Sequence, residues 1–162
     1  MRLDVVQYAL NQQNRRFRSK RRLSRFLLEK GYEIQEAEDA ILQLEQWGYL
    51  DDLKLAMSIV HRLTVRQAKG KLYIHQKLLE EEIDISHIEE ALSTYSDHEE
   101  KQLAETLAKR YLQLNDQKWA DADRKWASLL GYLSRRGFSE SVIEEISAEF
   151  SSLDDGYLNS NY

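Results

Sequence analysis

Apolar residues recur along this chain at the three-and-four spacing that marks one face of a helix. Leu23, Phe26 and Leu27 make the clearest stripe; Ser19 ahead of them reads as an N-cap, and Gly31 behind them as a left-handed helix stop. A helix from about Leu3 to Arg16, with Val5, Tyr8, Ala9 and Gln12 on its weakly apolar face, precedes this one. A third helix is expected to turn Ile34, Ala37, Ile41 and Leu44 inward, to hold Glu36, Glu38 and Asp39 near its start where the dipole favours acids, and to stop at Gly48.

The same sequence of events then repeats. Leu55, Ile59 and Leu63 form a stripe. After the break Lys69-Gly70-Lys71, a helix carries Leu72, Ile74, Leu78 and Leu79. The next helix, capped by Asp84 or by a Ser86-x-x-Glu89 box, is expected to bury Ile88, Ala91 and Leu92. From Asp97 onward, Leu103, Leu107 and Tyr111 fall on one side. Trp119, Trp126, Leu129, Leu130 and Leu133 follow, Gly137 breaks the pattern, and Val142, Ile143 and Ile146 complete it. Three segments align without gaps: LLEKGYEIQEAEDAI from Leu27, LLEEEIDISHIEEAL from Leu78 and YLSRRGFSESVIEEI from Tyr132.

This pattern predicts an all-α fold, an elongated tandem array of three three-helix repeats of about 50 residues each. The expected boundaries are 1–50, 51–96 and 97–150, with 151–162 as a flexible polar tail. A unit of that size buries too little apolar surface to stand alone, so neighbours should share faces. The middle repeat places Glu82 where its relatives have Gly31 and Gly137. If that position needs a positive φ, glutamate there costs about 1 kcal/mol relative to glycine.

Composition narrows the function classes. There is no cysteine among the 162 residues, which excludes disulfide and thiolate chemistry, and no proline interrupts a helix. No run approaches a membrane span and the amino terminus lacks the core of a signal peptide, so a cytoplasmic protein is expected. His61, His75, His87 and His98 have no metal-ligand spacing, and the acidic pairs read as solvated helix faces. No glycine-rich phosphate cradle is present. The residues point to a protein without a catalytic centre, metal or cofactor. Trp119 and Trp126, seven apart, read as core rather than as a base-stacking platform.

Net charge is -5, yet the signs are segregated. Arg15, Arg16, Arg18, Lys20, Arg21, Arg22 and Arg25 form a dense basic run. If Ser19 caps the helix, Lys20, Arg21 and Arg22 occupy its first turn, the positive end of the dipole, where each cation costs roughly 0.3–1 kcal/mol at low salt. Such a local conflict marks a place where another demand decides the sequence. A phosphate backbone or an acidic protein surface would turn the penalty into attraction.

Taken in order, four motifs are similar to those of the RecX family, modulators of the RecA recombinase. The first is Arg15-Arg16, Ser19, Leu23, Leu27-Leu28 and Lys30-Gly31-Tyr32. The second is Trp47-Gly48-Tyr49-Leu50-Asp51-Asp52 with Ala56. The third is Arg62, Arg66, Gly70, Ile74 and Leu78, and the fourth runs from Leu133 through Arg135-Arg136-Gly137-Phe138 to Ser139. Arg22 departs from the family by standing where an acid would complete a capping box, and Glu82 by replacing a common glycine.

The resemblance implies a modular helical bundle lodged in the groove of a RecA filament on single-stranded DNA. It implies inhibition of strand exchange, ATP hydrolysis and co-protease activity, and hence a part in regulating recombination, DNA repair and the SOS response. A monomer is expected, with no cofactor, contacting double-stranded DNA only weakly. The basic run is the first candidate for the DNA or recombinase contact; Arg62, Arg66, Arg135 and Arg136 are further candidates. One competing reading is a sequence-nonspecific DNA-binding protein acting without a recombinase. Another is a helical scaffold that touches only protein.

Overall fold

The computed structural model describes residues 4–115 and 122–158, and among these the secondary structure is entirely helical. Among the described residues nine helices follow one another: α1 Val5–Arg15, α2 Lys20–Glu29, α3 Ile34–Gln46, α4 Asp52–Val65, α5 Lys71–Glu80, α6 Ile85–Ser93, α7 Asp97–Leu114, α8 Ala122–Arg135 and α9 Glu140–Leu158. None is long and apolar enough to cross a membrane among the described residues. Trp119 lies outside the described residues.

The chain divides into two compact units. One comprises the residues up to His61 together with His75–Thr94; the other comprises Arg62–Ile74 together with the residues from Tyr95 onward. In the first unit, α1, α2 and α3 pack mutually around Leu23, Leu27, Ala37, Ala40, Leu44 and Leu50. In the second, α7, α8 and α9 pack around Ala104, Ala108, Leu129, Leu133, Phe138 and Ile146. Both are three-helix bundles whose stripes match the sequence pattern, with one correction at Ile34, which is 66% exposed. It is the first residue of α3, ahead of the inward face, and Tyr32 takes the buried place. The inward stripe is Ala37, Ala40 and Leu44.

The stops lie where glycine spacing put them. Gly31, Gly48 and Gly137 have φ of 82°, 77° and 76°, and Glu82 occupies the equivalent left-handed place with φ 58°. Ser19 caps α2 by accepting from the Arg22 amide at 3.2 Å. Asp84 is the N-cap residue of α6, and Ser86 lies within the helix, but the Asp84 side chain makes no capping hydrogen bond. At the far end α9 continues to Leu158, so the backbone of the expected tail is helical through that residue. No proline or glycine stands between Ile146 and Asp155 to stop it.

Two buried carboxylates tie helix starts together, roles that the sequence does not show even though Asp52 belongs to a family motif. Asp52, the first residue of α4, is 5% exposed and accepts from the amide of Lys20, the first residue of α2, at 3.0 Å. Glu100, 1% exposed near the start of α7, accepts from the amide of Lys71, the first residue of α5, at 2.8 Å. Lys20 and Lys71 each begin a helix, and their ammonium groups reach Glu45 and Asp97 respectively. The positive end of α2 therefore faces a carboxylate, which offsets the cations of its first turn.

Burial pushes the Asp52 carboxyl above its ordinary value of 3.8, against the pull of the Lys20 amide and ammonium. The folded state then holds this proton more tightly than the unfolded chain does. The stability owed to Asp52 is greatest below pH 3.8 and falls as pH rises through the raised folded value. Asp52→Asn keeps an acceptor for the Lys20 amide, and its Tm should gain on that of the wild type between pH 4 and pH 7. A variant that loses ground over that interval would show that the ionised carboxylate is the stabilising form.

Candidate functional site

The basic run lies on the end of α1, the following loop and the outer face of α2. Its charges are largely matched within the first unit. Arg16 and Arg22 converge on Glu81 at 3.6 and 2.5 Å; Arg21 meets Asp84 at 2.5 Å; Arg25 meets Glu82 at 2.5 Å and Glu29 at 3.9 Å. Lys20 pairs with Glu45. The Arg22–Glu81 approach is close without being a well-directed hydrogen bond, since Glu81 Oε2 is buried and has no hydrogen-bond donor.

Arg18 serves the loop itself. Its guanidinium donates to the Gln12 and Arg16 carbonyls, both at 3.3 Å, and lies 4.8 Å from the Phe26 ring centre. Burial, and then the neighbouring Arg16 and Arg22 charges, lower its pKa. Buried Gln13 completes the loop by bonding the Arg18 amide and carbonyl. Arg15 is exposed in the last turn of α1 and forms no ion pair among the described residues.

The acids that cover the run come mostly from the α5–α6 turn, more than fifty residues away in sequence, and sequence reasoning missed them. Their placement involves two local costs. Glu82 adopts a left-handed conformation that its counterparts reach with glycine, and its carboxylate is on Arg25. Asp84 sits at an N-cap and directs its carboxylate to Arg21 instead of to its own helix.

The second unit presents the opposite balance. The Gly70 amide donates to the Arg136 carbonyl at 3.0 Å and the Leu72 amide to the Gly137 carbonyl at 2.9 Å, which joins the α4–α5 turn to the α8–α9 turn. A Cβ on Gly70 would fall 2.3 Å from the Gly137 carbonyl oxygen, so the two backbones meet at a distance only glycine permits. Arg136 fastens the junction, donating to the Gln67 and Ala68 carbonyls at 2.8 and 3.2 Å with its guanidinium 4.9 Å from the Tyr132 ring centre. Ala68 has φ 50°, and Arg136 thus holds a turn that is strained for a non-glycine residue.

Arg66 and Arg135 adjoin these contacting residues in sequence, and Arg62 lies one helical turn before Arg66. All three are exposed. Lys69, which the sequence reading did not select, stands over the Tyr73 ring at 4.1 Å. None of Arg62, Arg66, Lys69, Arg135 and Arg136 forms an ion pair among the described residues. No group of three metal-capable side chains occurs there either. Trp126 belongs to the bundle core, packed against Phe150.

No family model matches the chain. Curated relatives do, each named "Regulatory protein RecX". That of Pelodictyon phaeoclathratiforme is 32% identical over 140 residues, covering 86% of this chain and 84% of the relative. That of Geobacillus sp. is 28% identical over 132 residues, and that of Oceanobacillus iheyensis 28% over 141. The chain spans about half the length of these last two, 48% and 51%. Among solved structures, RecX from Lactobacillus salivarius superposes with a TM-score of 0.81 at 22% identity, covering 91% of this chain and 94% of that one. A second structure, a regulatory protein RecX, gives 0.74 at 24% identity over 89% and 70%. These two likenesses establish a shared fold.

Proposed function

The chain belongs to the RecX family of regulatory proteins, and from that membership we propose that it binds a RecA filament on single-stranded DNA and lowers its ATPase, strand-exchange and co-protease activities. It does so as a cytoplasmic monomer. The observation that carries the DNA side of this reading is the charge at the Gly70–Gly137 junction, where Arg62, Arg66 and Arg135 are exposed and form no ion pair among the described residues. A phosphate backbone supplies the missing anions, and release of its counterions drives the association. Arg136 supports this surface from behind by fixing the turn. The candidates therefore change rank: the arginines named second in the sequence are the available ones, while most of the basic run is engaged internally.

The test is a RecA ATPase time course on single-stranded DNA. The wild type should lower the rate at well below one molecule per recombinase. The variant Arg62→Ala/Arg66→Ala/Arg135→Ala should need on the order of tenfold more protein, and its DNA binding should show a salt dependence shallower by about 2 in log–log slope, from roughly 0.7 per lost phosphate contact on a single strand. Absence of any effect at equimolar wild-type protein would sink the reading. Affinity that rises when the DNA is already coated with recombinase separates it from DNA binding without a recombinase.

A further inference from the structure

Three departures from local preference meet at one contact in the first unit. Lys20, Arg21 and Arg22 crowd the positive end of α2. Glu82 holds a left-handed conformation where Gly31 and Gly137 serve its relatives. Asp84 leaves α6 without a side-chain cap. Each is unfavourable within its own helix or turn, and the three meet across one contact, where Arg21, Arg22 and Arg25 face Asp84, Glu81 and Glu82, while Asp52 and Glu45 answer Lys20 at the helix start.

Most of the charge is matched. Arg16, Lys20, Arg21, Arg22 and Arg25 are five cations; Glu29, Glu45, Glu81, Glu82 and Asp84 are the five acids they touch. With Arg15 and Arg18 outside these pairs, a stretch that reads as the most basic in the chain is far less positive as folded. Most of these side chains retain solvent access, so the pairs are exchangeable rather than locked. The turn that carries the acids is not free to leave, because Ile83 between them is 3% exposed. Only the carboxylate side chains can give way.

From this we infer that the α5–α6 turn is a built-in anionic cover, whose carboxylates occupy the places on α1 and α2 that nucleic-acid phosphates would take. The inference rests on the functional reading above for the identity of the polyanion, single-stranded DNA. The cover holds the affinity of the α2 face below what its cations alone would give. DNA reaches Arg21, Arg22 and Arg25 only by displacing Asp84, Glu81 and Glu82, so this face contributes when DNA is held at high local concentration, as beside an already bound filament.

The test compares the wild type with Glu81→Gln/Glu82→Gln/Asp84→Asn in binding to a fluorescent oligo-dT. A control, Glu89→Gln/Glu90→Gln/Glu144→Gln, removes the same charge from exposed positions that form no ion pair among the described residues. The cover predicts that the triple variant binds on the order of tenfold more tightly at low salt, with a log–log salt slope steeper by about 2 for three uncovered contacts, and that the control does neither. Equal behaviour of variant and control overturns it.

Should the triple variant fail a melting test, Glu82→Gly fits the left-handed backbone, lifts the cover from Arg25 alone, leaving its Glu29 contact, and should show a smaller gain in the same direction; no gain there is equally decisive. The recombinase ATPase keeps the two ideas apart. A wild type that inhibits RecA, with no gain in the variant, removes the cover alone. A wild type without effect on RecA, with a variant that still gains affinity for DNA, removes the functional reading and leaves the cover standing.

Discussion

Alanine at Gly137 should destabilise the protein by about 2–5 kcal/mol, and alanine at Gly31 by only about 1–2 kcal/mol, although the two glycines share a backbone conformation. Their φ values are 76° and 82°, so the cost of placing a Cβ in the left-handed region is common to both. Surroundings make the difference. A Cβ on Gly31 meets nothing within 4 Å; one on Gly137 falls 2.4 Å from the Tyr73 Cβ, 2.5 Å from its amide nitrogen and 2.8 Å from its Cα. None of those atoms is the tip of a flexible side chain, so relief requires the α4–α5 turn to back away from the α8–α9 turn. The Leu72–Gly137 hydrogen bond would lengthen and Arg136 would lose its hold on the Gln67 and Ala68 carbonyls.

Urea denaturation of the two variants measures this directly, as a difference in midpoint at similar m. On the proposed function, and because Arg66 and Arg135 adjoin the junction, Gly137→Ala should also weaken the proposed inhibition of RecA at temperatures where the protein remains folded, and Gly31→Ala should not. Equal destabilisation by the two substitutions would mean that the junction yields freely, and that the meeting of two glycine turns is incidental to the arginines beside it.

What the sequence could reveal follows from the range of each interaction. Gly31, Gly48, Gly137 and Ser19 act within four or five residues, through a left-handed φ or a single capping bond, and each lies where the apolar spacing put a helix end. Ile34 was misjudged because the first residue of a helix can match the stripe in spacing and still precede the packed face. Most partners of the basic run lie on another helix pair, beyond the reach of periodicity. What the sequence did carry was the conflict itself, three cations at a helix start, and the answer was intramolecular: Asp52 at the dipole and the Glu81–Asp84 turn over the side chains. The buried roles of Asp52 and Glu100 were illegible for another reason. Asp51 beside the first is exposed, as is Glu99 beside the second, and adjacent acids at a helix start look alike until one of them is buried.

Glu100 is where that hidden difference should cost most. Glu100→Ala is expected to destabilise by about 3 kcal/mol, and Glu100→Gln by about 1 kcal/mol. The carboxylate is 1% exposed and accepts from the Lys71 amide at 2.8 Å, the Ser139 amide at 3.2 Å and the Ser139 hydroxyl at 3.1 Å. It thus joins the starts of α5 and α9 to that of α7, satisfying donors that helix geometry leaves without partners. Alanine strands them beneath the surface. Glutamine retains one oxygen for the two amides and can donate its NH2 to the Ser139 oxygen, losing mainly the strength that charge adds to each bond. Thermal and urea unfolding of the two variants should therefore separate by roughly 2 kcal/mol. If alanine and glutamine cost the same and little, solvent reaches the helix starts and the buried carboxylate is not what joins them.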